Sequence, residues 1–107
     1  MNQVTLEVYA DCRTVRVGQP VHLRFIASGN LTTPLIHRYV VGGTATVMEP
    51  ACAVPDPDLP PRPGVGVQDH EQVYRAPGQD RVVVTASTFC SRFSGQDSAE
   101  ILIDVRP

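Results

Sequence analysis

Residues 72–87, Gln72-Val73-Tyr74-Arg75-Ala76-Pro77-Gly78-Gln79-Asp80-Arg81-Val82-Val83-Val84-Thr85-Ala86-Ser87, set an aromatic, a Pro-Gly turn and a β-alternation in direct succession. Proline locks φ and glycine tolerates a reversal, while Val82, Val84 and Ala86 on every second position suit a half-buried pleated strand. The stretch reads as the corner of a β-sandwich. Tyr74 is expected to anchor it, packing its ring and hydrogen-bonding its hydroxyl across the corner, with Pro77 and Gly78 making the turn.

The rest of the chain follows the same pattern. Residues 4–10 alternate with period two and stop at Asp11-Cys12. Thr14-Val15-Arg16-Val17 leads into a Gly18-Gln19-Pro20 turn signal, after which Val21, Leu23, Phe25 and Ala27 face inward along residues 21–27. A third strand over residues 35–41, with Leu35, His37, Tyr39 and Val41 in one phase, closes on Gly42-Gly43. That pair predicts a tight hairpin, with residues 44–48 as the return strand. Val65-Gly66-Val67 is followed by a polar run, Gln68-Asp69-His70-Glu71, which reads as a solvated face. Two strands come last, over residues 81–89 and 98–105, joined through residues 91–96. In the second, Ala99, Ile101, Ile103 and Val105 oppose Ser98, Glu100, Leu102 and Asp104.

Residues 50–63 hold six of the ten prolines, which removes donors and fixes φ, so neither strand nor helix fits there. With Asp56, Asp58 and Arg62 interleaved, the segment around residues 50–64 reads as a Pro-rich surface loop. A chain of 107 residues is one domain by length, residues 1–107. About seven short strands without a helical period predict an all-β, immunoglobulin-like antiparallel two-sheet sandwich.

The corner resembles the PKD (polycystic-kidney-disease-type) module, an immunoglobulin-like sandwich. Tyr74, Pro77, Gly78, Val82, Val84 and Thr85-Ala86-Ser87 occupy that family's places in order, and residues 17–25 are similar to its opening strand. Tyr39-Val40-Val41-Gly42-Gly43 stands where the family has Trp-Asp-Phe-Gly-Asp-Gly, and Tyr39 takes the structural place. Gln72 replaces the family's His, Asp80 takes an aromatic place, and the Pro-rich insertion has no counterpart. The resemblance implies a protein or carbohydrate partner at a cell surface.

The formal net charge is -2 without blocks of either sign, which argues against nucleic-acid binding. No run reaches the ~18 apolar residues of a membrane helix, so membrane insertion is not expected. The first residues lack the basic and apolar regions of a secretory signal. The localisation stays unknown on these grounds: extracellular or cell-surface for a piece of a longer exported protein, otherwise cytoplasmic or virion.

Cys12, Cys52 and Cys90 permit at most one internal disulfide in any of three pairings, and a buried free thiol packs as a small hydrophobe. If Gly42-Gly43 turns one sheet edge, residues 48–52 run back towards the loop holding Cys90. Cys52–Cys90 is then favoured, with Cys12 left over. The spacings are unlike those of zinc sites, and His22, His37 and His70 lack chelating proximity. His22 lies on an outward phase, and His37 reads as a partly buried, hydrogen-bonded side chain. Asp56, Asp58, Asp69, Glu71 and Asp97 show no EF-hand spacing, and Asn30-Leu31-Thr32 matches a glycosylation acceptor.

No catalytic, cofactor-binding or metal residue is expected. The reading is a non-enzymatic module for protein or carbohydrate recognition or spacing. Its alternative is a structural component capable of self-assembly, such as a phage decoration or tail protein.

Overall fold

The computed structural model describes residues 4–30, 34–48, 63–88 and 95–107. They form eight strands: β1 (Val4–Ala10), β2 (Thr14–Arg16), β3 (Pro20–Gly29), β4 (Pro34–Val41), β5 (Thr44–Val47), β6 (Gly64–Val73), β7 (Gly78–Thr88) and β8 (Gln96–Arg106). One sheet has the order β1-β3-β6 and the other β2-β8-β7-β4-β5. Facing each other, they make an immunoglobulin-like sandwich, with β1, β3 and β6 at the A, B and E places and β4, β7 and β8 at C, F and G. All pairs are antiparallel except β2 with β8, where Thr14-Val15-Arg16 runs parallel to Asp104-Val105-Arg106. This short β2 is the added strand beyond the expected seven. The Pro-rich loop lies almost wholly outside the described residues.

The core is built by alternation. Val21, Leu23, Phe25 and Ala27 of β3 meet Val82, Val84 and Ala86 of β7 and Ile101, Ile103 and Val105 of β8, all buried. Each large side chain taken from water in this way contributes about 1.5–3 kcal/mol. Phe25 is the pivot, its ring centroid 5.1 Å from that of Tyr39 at a tilt of 49°. A tilted aromatic pair adds attraction beyond area burial.

Two expectations are corrected. Residues 35–41 do not keep one phase, because the β4–β7 register slips between Ile36 and Arg38. The extra residue of this bulge is His37, so Ile36 faces the core before it and Tyr39 and Val41 after it, while Leu35 is only half-buried. The polar run 68–71 is the middle of the ten-residue β6, and only Asp69 and Glu71 face solvent. Gln68 and His70 turn inward and are half-buried.

Glycine explains why β6 turns this way. A Cβ on Gly66 would stand 2.6 Å from the Pro34 carbonyl oxygen of β4, too close for any side chain. The bare residue therefore occupies the inward phase where the two sheets approach, and Val65 and Val67 are sent outward. Gly42 and Gly43, with φ of 59° and 77°, make the two-residue β4–β5 turn, which needs positive φ at both positions. At the opposite edge of the small sheet, the Leu6 N–H of β1 donates to Asp97 Oδ2 of β8 at 2.8 Å. A side-chain carboxylate thus blunts an outward strand edge.

Candidate binding face

The outer surface of the three-stranded sheet is ruled by register. Tyr9 lies opposite Arg24 and Arg24 opposite Asp69; Glu7, Ile26 and Val67 form the next row, and Thr5, Ser28 and Val65 the one beyond. His22 pairs with Glu71 and donates its backbone N–H to Asp11 Oδ1 at 3.0 Å, extending the pattern past the end of β1. Half of the face is charged and half apolar. Tyr9 is 51% exposed, Val65 61% and Val67 54%, and Ile26 joins the two valines across the strands.

Arg24 grips Asp69 with two hydrogen bonds, Nε to Oδ1 at 2.7 Å and Nη2 to Oδ2 at 3.3 Å. Hydrogen bonding from Arg24 holds the Asp69 carboxyl below its ordinary range, and the same bond raises the guanidinium. The Tyr9 hydroxyl donates to Glu7 Oε2 at 2.8 Å, which pushes the phenol up and pins the ring along the sheet. His22 Nδ1 stands 4.0 Å from Glu71 Oε2. An open groove of about 610 Å³ runs between Tyr9, Asp11, His22, Arg24, Asp69 and Glu71. Such a surface offers an aromatic plane, paired hydrogen-bonding groups and an apolar shelf.

The corner residues assemble elsewhere. Tyr74 is 7% exposed, and its hydroxyl donates to Asp80 Oδ2 at 2.5 Å. That oxygen also accepts the Gly42 N–H at 2.8 Å, while the Tyr74 carbonyl accepts the Gly18 N–H at 2.9 Å. Pro77 and Gly78 line a second open groove of about 380 Å³ beside this network. Tyr39 is buried between Phe25 and His70, the latter 5.3 Å away.

The histidines are dispersed: His22 points to solvent, His37 sits at the β4 bulge, and His70 Nε2 lies 3.0 Å from Gln72 Oε1 at the inner edge of β6. Among the described residues no three His, Cys, Asp or Glu side chains are placed to hold a metal ion. Cys12 is a free thiol that donates to the Thr14 carbonyl at 2.7 Å. Cys52, Cys90, Asp56, Asp58 and the Leu31-Thr32 part of the glycosylation pattern lie outside the described residues. Asp80, read from sequence as a departure, and Tyr9, Arg24 and Val67, not singled out there, are the residues that sequence reasoning missed. The signal for the last was the Val65-Val67-Asp69-Glu71 alternation, hidden by glycines in the intervening phase.

No family model matches this chain, and no curated protein or solved structure matches it either.

Proposed function

We propose that the chain is a non-enzymatic, PKD-like recognition module that contacts a protein or carbohydrate through the outer face of β1, β3 and β6. The observation that carries this reading is the exposed row Tyr9–Arg24–Asp69 set beside Ile26, Val65 and Val67. Solvent-exposed apolar side chains grouped on one sheet face favour an interaction role over a purely solvated one. An aromatic flanked by fixed polar pairs suits either a sugar ring or a peptide surface.

The test is a binding screen of the immobilised protein against an oligosaccharide array and a displayed protein library. The variant Tyr9→Ala, Ile26→Ser, Val67→Ser serves as counter-screen. Binding that the variant loses supports the reading. Binding that the variant keeps, or silence in both libraries, removes it.

A further inference from the structure

The two outer faces of the sandwich carry opposite charge. On the three-stranded sheet, strand phase turns Glu7, Asp11, Asp69 and Glu71 outward with Arg24, four carboxylates against one guanidinium, for a net charge of -3 leaving His22 aside. On the five-stranded sheet the outward positions carry Arg16, Arg38, Arg81 and Arg106 with Glu100 and Asp104, four guanidinium groups against two carboxylates, for a net charge of +2. Arg16 and Arg106 are cross-strand partners; Asp104 Oδ2 lies 3.5 Å from Arg106 Nε and Glu100 Oε2 3.7 Å from Arg81 Nε, so both carboxylates of this face are already paired and the excess is two guanidinium groups. A chain with a net charge of only -2 has thus sorted its charges by face.

The basic face has its own apolar shelf. Leu102 is 45% and Val47 56% exposed, and Val83, Val40 and Ala45 form a row between them, one residue opposite the next on β7, β4 and β5. Each face therefore presents what the other needs, apolar side chains bordered by charge of the opposite sign.

We infer that the chain stacks on itself, the acidic face of β1, β3 and β6 in one copy docking on the basic face of the five-stranded sheet in the next. This rests on the reading of the three-stranded face as the recognition surface and names a second copy as its occupant. Because two different surfaces meet, the contact is heterologous and does not saturate at a dimer: it continues into a stack or closes into a ring. Three strands about 4.8 Å apart and about ten residues long give a face of about 500 Å². Association then buries about 1,000 Å² in total, at the lower bound of specific interfaces. It is weak, concentration-dependent and steered by charge.

Sedimentation velocity from about 10 μM to about 1 mM protein tests it. The mass at about 50 mM salt is expected to rise past twice that of the monomer at high concentration, and to return to the monomer at about 500 mM salt. Two exposed-face variants, Glu7→Lys with Glu71→Lys and Arg38→Glu with Arg81→Glu, are each expected to be monomeric and folded by circular dichroism. Mixed, they offer one intact acidic face to one intact basic face, and their reversed faces, now +1 and -2, attract each other as well, so the association lost in either variant alone is expected to return. A wild-type monomer throughout, salt-insensitive association, growth of either variant alone, or a mixture equal to its parts overturns the inference; the wild-type salt series decides even if a variant misfolds. Self-association with an empty ligand screen leaves the stack standing without a foreign ligand. A monomer that binds a screened ligand leaves the face standing with a different occupant.

Discussion

Asp80 Oδ2 lies 2.5 Å from the Tyr74 hydroxyl, and the same oxygen receives the Gly42 N–H, so one carboxylate joins the corner before β7 to the β4–β5 hairpin. The familiar tyrosine corner sends its hydroxyl to backbone upstream. Here the acceptor is a side chain downstream, and the anchor spans two loops of the same end of the sandwich.

Removing either partner should therefore be unequal. Tyr74→Phe deletes one donor and leaves Asp80 bonded to Gly42, at an expected cost of about 1–3 kcal/mol. Asp80→Ala strips the acceptor from both the buried hydroxyl and the Gly42 amide and should cost more. Urea unfolding of the two variants checks the order; equal midpoints would refute the shared-acceptor account.

The same pair predicts loss of stability in alkali. Burial first, then the hydrogen bond to Asp80 and its charge, push the Tyr74 phenol well above its ordinary value of 10.0. A folded pKa raised above the unfolded one means the contribution is fully present below about pH 10 and fades as pH rises towards the folded pKa, since the unfolded chain loses the proton first. Tyr9, raised by Glu7, adds a slope of the same sign, so the difference between wild type and Tyr74→Phe isolates the buried phenol. That difference should shrink above about pH 10 in thermal melts.

Gly66→Ala should cost about 1–3 kcal/mol, because the new methyl meets backbone at Pro34 and cannot be relieved by a rotamer change. Gly18→Ala, with φ of 85° and open space around it, bears only the left-handed backbone penalty of about 1–2 kcal/mol. Amide shifts in an NMR spectrum should spread through β4 and β6 for the first and stay near the turn for the second.

Asp97→Ala uncaps the Leu6 N–H. Hydrogen exchange at Leu6 should accelerate at least tenfold with little change at Phe25 in the β3 core, and unchanged protection at Leu6 would remove the edge-capping role.

The β character of this chain was legible in its alternation. Val21 to Ala27, Val82 to Ala86 and Ala99 to Val105 announce their buried faces because period two is imposed by the pleat itself, and Gly42-Gly43 announces its turn because few other pairs tolerate positive φ twice. Where local pattern and local structure coincide, no distant residue is needed. The phase of β4 and β6 was not legible. A bulge at His37 resets one, and the approach of Pro34 to Gly66, 32 positions apart in the chain, sets the other, so their valines and polar residues change sides for reasons carried by another strand. The mixed face around Tyr9 and Arg24, and the acid that anchors Tyr74, arise the same way. Sequence alone determined most of the segments that become strands, because backbone geometry is local; tertiary structure added β2 and the polar middle of β6 and decided which residues share a surface, because that depends on register between strands far apart in sequence.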